Sequence, residues 1–258
     1  MTSALHNGRP DGRSTATSLR PLSADMSCLH RADGSAQFAS GNTTIMAAVH
    51  GPQTPKIQAR ENYKKGIVSV VFKQGPKHLL CHGMKDTEIE ILLANILSSC
   101  ILLEEYPRSI IEVVIQVLQS DGSVLSVAMN AAVLACIDAG ISMSTVPVGT
   151  LCLVDPDDTI LLDPSSDEEQ QLTQQISPAG TTKLMPPSLV FVVTSGGTGK
   201  DSGIFAIITA GPSISHETFL KCVETSQLAG RAVVEFIRMV IEQKVERESN
   251  TLWANSVN

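Results

Sequence analysis

The chain has 258 residues, enough for one large domain or two small ones, and its 43% apolar and 17% charged content excludes an intrinsically disordered protein. A net charge of −7 argues against a free-standing nucleic-acid binder, whose phosphate contacts need a basic surface, but leaves room for one basic patch or a channel shared in an assembly. Six cysteines with no CxxC pair predict reduced intracellular thiols rather than a zinc site, and no apolar run approaches the roughly 18–20 residues that span a bilayer.

Residues 1–18 are polar, with Gly8, Pro10 and Gly12, and predict a flexible arm ahead of a single domain over 19–249 and a tail over 250–258. Residues 36–39 and 43–49, joined by Gly41-Asn42, predict a hairpin that Gly51-Pro52 ends. Residues 66–72 are rich in β-branched side chains and predict a strand. Ile89, Leu92, Leu93, Ile96 and Leu97 recur at helical spacing within 85–103. Residues 109–118 predict an apolar strand covered on both faces, interrupted by Glu112 and Gln116. An Ala-rich helix follows over 126–139, stopped by Gly140. Strands at 150–154, 159–162, 189–193 and 204–209, then a long helix over 215–248, complete an α+β order: a two-layer fold of mixed β-sheets with packed helices.

Three segments invite a chemical reading. The glycine loop at 196–201 has Thr at 194 and Asp at 201, so it lacks the first glycine and the hydroxyl of a phosphate-cradling loop and reads as a hairpin loop. Between residues 55 and 85 lie seven cations, among them Lys64, Lys65, Lys73, Lys77 and Lys85, against the single acid Glu61. Lys73, Gln74, Lys77 and Lys85 are the candidate RNA contacts, because a loop at a strand end can present side chains to a ligand. Between 155 and 170 lie seven acids and no base; solvated loop and divalent-metal site both remain open there. The turn Gln119-Ser120-Asp121-Gly122-Ser123, between strand and helix, can present backbone N–H groups to an anion, or Asp121 can simply form the turn.

Several segments taken together resemble the RNase PH family: Arg9-Pro10-Asp11-Gly12-Arg13, Arg31-Ala32-Asp33-Gly34-Ser35-Ala36, Gly41-Asn42-Thr43-Thr44, Val49-His50-Gly51-Pro52, Gln119-Ser120-Asp121-Gly122, Asn130-Ala131-Ala132, Asp138-Ala139-Gly140-Ile141 and Leu162-Asp163-Pro164 with Glu168-Glu169. The segment 116–125 is similar to exosome subunits of that family rather than to its active enzymes. The resemblance implies a hetero-oligomeric exosome ring of RNase PH-like subunits with RNA-binding cap proteins, acting on RNA from the 3′ end in the nucleus, nucleolus and cytoplasm, with no membrane partner. It implies no cofactor and no metal site.

The departures from that family are specific. Active members carry Gly-Thr-Arg after the central Asp-Gly to hold the attacking phosphate; here the positions are Ser123, Val124 and Leu125, a degenerate phosphate site. A phosphate dianion needs a cationic, bidentate donor, and Val and Leu supply none. The family's Asp before the strand at 189–193 is missing from Met185-Pro186-Pro187-Ser188, and Asp167 alone cannot make the carboxylate pair. The expectation is a non-catalytic ring subunit. The alternative is an active phosphate-dependent 3′-to-5′ exoribonuclease, or a metal-dependent nuclease, as a homodimer outside the exosome.

Overall fold

The computed structural model describes residues 9, 11–55, 62–74, 85–155, 158–169, 188–196 and 203–256, with side chains described as far as 250. Five strands form the first sheet: β1 (Leu22–Met26), β2 (Gly34–Ser40), β3 (Thr43–Gln53), β4 (Ile67–Lys73) and β5 (Ile110–Gln119), in the order β1-β2-β3-β5-β4. Only the β4–β5 pair is parallel, and the crossover between them carries α1 (Asp86–Cys100). The second sheet is antiparallel, in the order β7-β6-β8-β9, from β6 (Pro147–Val154), β7 (Ile160–Leu162), β8 (Ser188–Ser195) and β9 (Ile204–Ala210). Helix α2 (Val124–Asp138) lies between the two sheets, and α3 (His216–Ser256) packs on the far side of the second.

The hairpin of β2 and β3 turns at Gly41-Asn42 as its sequence requires, with Gly41 at φ +57°, but β3 continues past Gly51-Pro52 to Gln53. In β5 the alternation is plain: Ile111, Val113, Ile115 and Val117 are buried, while Ile110, Glu112, Val114 and Gln116 face the other way, half-buried. The strand is therefore covered on one face, not both; Glu112 and Gln116 mark the open face rather than interrupting the strand.

Helix α2 has no polar face to turn to water. Every residue from Val124 to Cys136 is buried. Ala128, Ala131, Ala132 and Ala135 let strands approach closely. Gly34 on β2 is the extreme case, since a Cβ there would sit 2.3 Å from the backbone nitrogen of Ala139. The buried polar residue Asn130 is satisfied by β6: its Nδ2 donates to the Gly149 carbonyl (3.2 Å) and its Oδ1 accepts the Gly149 N–H (3.0 Å). The C-terminal Asp138 accepts Ser35 N–H (2.8 Å), the Ser27 hydroxyl (2.9 Å) and the Lys244 ammonium, which ties α3 to α2.

The apolar residues of α3 divide between core and surface. Val233, Ile237 and Val240 are buried, and Phe236 meets Phe38 edge-on with centroids 6.0 Å apart, so they belong to the core rather than to a spare surface. The exposed apolar positions of this helix are Leu220, Leu228, Met239 and Val245. The helix also runs on to Ser256, beyond the end expected for it at 248. Among the described residues no helix is long and apolar enough to cross a membrane.

The segment expected to be a free arm is docked from Arg9 onward. The Arg9 guanidinium forms a fork on the fully buried Glu168, both contacts 2.7 Å, and also donates to the Leu162 carbonyl (2.9 Å). Arg13 donates to the carbonyls of Ser18 (2.8 Å) and Asp163 (3.0 Å), and Ala16 accepts the Leu162 N–H (2.9 Å). Paired charges and closed main-chain bonds replace the apolar contacts that a polar segment cannot make.

The Asn130–Gly149 clasp gives a stability test. Asn130→Ala orphans two buried main-chain groups at about 1–3 kcal/mol each, so the variant should lose about 3 kcal/mol in urea unfolding. An unchanged midpoint would show that water replaces the amide.

Candidate phosphate site

Strand β5 hands over to α2 through residues 120–123. Gly122 has φ +78°, and a Cβ there would lie 2.4 Å from the Pro164 carbonyl oxygen, so this position accepts glycine alone. Ser123 follows with φ +50°, and its hydroxyl donates to the same Pro164 carbonyl (3.1 Å). The turn places the N–H of Ser123, the N-cap residue, at the start of α2, where backbone donors can meet an anion.

That N–H is taken. Ser123 N–H donates to the Glu169 carboxylate (3.1 Å), which stands where an external anion would bind. Burial pushes Glu169 up to about 7, against the opposing pull of the Ser123 N–H and the Arg20 charge. Val124 and Leu125 are 6% and 3% exposed and point into the core, so neither lines an anion site.

The nearest guanidinium is equally committed. Arg20 donates through Nε and Nη2 to Asp163 (3.0 and 2.7 Å) and through Nη1 to the Asp121 carbonyl (2.6 Å). Burial works against the Asp163 charge, but the Arg20 hydrogen bonds and charge outweigh it and hold the carboxyl below its ordinary range. Asp121 forms the turn: it accepts Asn42 Nδ2 (3.1 Å) and Ser166 N–H (3.3 Å), while its own N–H donates to Thr43 Oγ1 (3.0 Å).

The described acids at 155–169 are dispersed rather than gathered, and Asp157 lies outside the described residues. Asp163 pairs with Arg20, Glu168 with Arg9, Asp158 accepts the Thr218 hydroxyl (2.9 Å), and Asp167 is exposed. Among the described residues no three His, Cys, Asp or Glu side chains converge as a metal site would require.

The expected RNA contacts separate. Lys73 is exposed at the C-terminal end of β4, in register with Gln116 of β5, and so at the same sheet end as the 120–123 turn. Gln74 is half-buried, and its Nε2 is buried without a hydrogen-bond partner among the described residues. Lys85 is exposed at the start of α1, where its N–H donates to Glu88 (3.3 Å). Lys77, the 197–202 loop and residues 185–187 lie outside the described residues. Sequence reasoning assigned no role to Arg9, Arg13 or Arg20, although Arg9 and Arg13 lay inside a motif already singled out, and it weighed Glu169 only as one of the acids of a possible metal site.

Glu169 carries a pH signature. The folded protein keeps its proton to a higher pH than the unfolded chain, so this group's contribution to stability is complete below its ordinary value near 4.5 and is lost as pH rises through about 7. Glu169→Gln should abolish that loss, leaving the variant more stable than the parent at pH 8 by up to about 3 kcal/mol and nearly equal to it at pH 4. Parallel stability–pH curves for the two proteins would refute the assignment.

Comparison with known proteins supplies the kinship. Residues 18–142, the first sheet with α1 and α2, match the 3′ exoribonuclease family, domain 1 (RNase PH). An exosome complex exonuclease RRP46 homolog of Arabidopsis thaliana is 33% identical over 240 residues, 91% of this chain and 96% of the relative. The human exosome complex component RRP41 is 31% identical over 251 residues, 93% of each. The crystal structure of rice Rrp46 superposes with a TM-score of 0.76 at 31% identity, covering 91% of this chain and all of that one. The curated relatives match this chain over more than nine-tenths of its length at above 30% identity, and with them the chain belongs to the RNase PH family of 3′ exoribonucleases.

Proposed function

We propose that this chain is a ring subunit of an RNA exosome core, which helps to assemble the ring and thread RNA and does not itself perform phosphorolysis. The observation that carries the reading is the start of α2, where Glu169 occupies the helix N-terminus and Val124 and Leu125 fill the core. Phosphorolysis needs a bound phosphate dianion beside the scissile bond. Wherever Glu169 is ionised, above about pH 7, it opposes that dianion, since unit like charges about 4 Å apart at an effective dielectric of 20 repel by about 4 kcal/mol. Arg20 offers no compensation, because releasing it would strand Asp163 in the core. The relatives named above are exosome components, which supports the ring and its neighbours: other RNase PH-like subunits and RNA-binding cap proteins. Nucleus, nucleolus and cytoplasm are the compartments this role assigns.

RNA contact belongs to Lys73 and, beyond it in sequence, Lys77, with Lys85 at the start of α1. Lys73 lies at the sheet end shared with the degenerate site, so RNA passing there would meet a cation without meeting a phosphate-binding pocket.

Two measurements test this. The homogeneous protein should release no nucleoside diphosphates from RNA when phosphate is added, and Val124→Thr with Leu125→Arg should not restore release; clear phosphate-dependent release by the unmodified protein would overturn the non-catalytic reading. Purified from native extract, the protein should bring other RNase PH-like chains with it, and Lys73→Glu with Lys77→Glu should leave that assembly intact while lowering the salt slope of RNA binding by about 1 for each lost contact. A lone monomer, or an unchanged slope, would count against the ring and the contacts respectively.

A further inference from the structure

The end of the first sheet opposite Lys73 carries an aromatic residue that packing does not explain. The chain has two tyrosines. Tyr106 is half-buried, and its hydroxyl both donates to Ser142 Oγ (3.2 Å) and accepts the Ser142 N–H (3.0 Å). Tyr63, by contrast, is 69% exposed. Because β4 and β5 run parallel, the turns that precede them lie side by side, and Arg108 of the second reaches Tyr63 of the first: its guanidinium carbon is 4.8 Å from the ring centroid.

The pair is held rather than incidental. Arg108 N–H donates to the Asn62 carbonyl (3.0 Å), and Asn62 Oδ1 accepts the Lys64 N–H (3.0 Å). Arg108 has φ +60°, a conformation that costs a non-glycine residue energy and persists where the surroundings enforce it. Lys64 and Lys65 are exposed beside the ring. The acids nearest in sequence are Glu61, Glu104 and Glu105, so the three cations are matched by three carboxylates and net charge alone supplies no affinity.

We propose that Tyr63, Arg108, Lys64 and Lys65 form a contact for single-stranded RNA, separate from the Lys73 end. A base stacks on the open face of Tyr63, Arg108 backs the other face as a cation–π partner, and the lysines meet flanking phosphates. Stacking suits a subunit that threads RNA, because every base offers a π-face and the contact is indifferent to sequence. The two ends of β4 are roughly 20 Å apart at about 3.3 Å per residue, so one strand of RNA could touch both. That the ligand is RNA rests on the ring reading above.

The test uses the full chain in its native assembly and a fluorescent oligouridylate. Tyr63→Ala should raise the dissociation constant about ten-fold, and Tyr63→Phe should leave it within about two-fold, because the ring and not the hydroxyl makes the contact. Arg108→Gly suits the left-handed backbone, so it should leave the melting temperature near that of the parent while weakening binding. Glutamate at both Lys64 and Lys65 should weaken it further and flatten its salt dependence. Unchanged affinity for Tyr63→Ala, with weaker binding by Lys73→Glu, would overturn this contact and leave the ring reading standing. An assembly that binds no RNA at all would overturn both. If Tyr63→Ala instead drops out of the assembly, the patch is a protein interface and the inference fails.

Discussion

A helix that is apolar on every side must be covered on every side, and that constraint organises this protein. With Val124 through Cys136 all buried, α2 cannot rest on the first sheet alone, because its opposite face would then meet water. The second sheet meets that need. Leu151, Leu153, Phe191 and Val193 close over α2, and Asn130 sets the register by engaging both main-chain groups of Gly149. The second sheet is covered in turn by α3 through Cys222 and Ala229, so the layers are linked by a single requirement to exclude water.

The same burial explains why the start of α2 matters. A helix N-terminus held rigidly between two sheets is a fixed concentration of positive potential, and something negative belongs beside it. Here the chain supplies its own carboxylate from the turn that follows β7. Around it a buried ionic lattice of Arg20 with Asp163 and Arg9 with Glu168 joins the N-terminal segment, the 120–123 turn and the second sheet. Such pairs add little net stability against apolar replacements, but they permit few alternative arrangements because each unpaired partner would be severely penalised.

Much of the fold was legible in the sequence because it rests on local periodicity. The β2–β3 hairpin, β4, α1, α2 and the strands of the second sheet all lie where alternation or helical spacing indicated. Strand β1 escaped because Leu-Ser-Ala-Asp-Met has no β-branched residue and carries an acid suited to an exposed edge. The site was legible only by subtraction: Val124 and Leu125 plainly lack donors, whereas the Glu169 contact spans 46 residues and leaves no local trace. The basic stretch looked like one feature in one dimension. The strand β4 divides it, sending Lys64 and Lys65 to one end of the sheet and Lys73 to the other.

The ionic fork between Arg9 and Glu168 joins positions 159 residues apart. During synthesis Arg9 leaves the ribosome early and waits for its partner, roughly 10–30 s at about 5–20 residues per second. Throughout that interval the N-terminal segment has no fork to close on, and the first sheet and α2 are completed before the interval ends. Closure of the fork therefore follows the first sheet and α2: residues near the start of the chain are fastened only after the segment beyond β7 has been made.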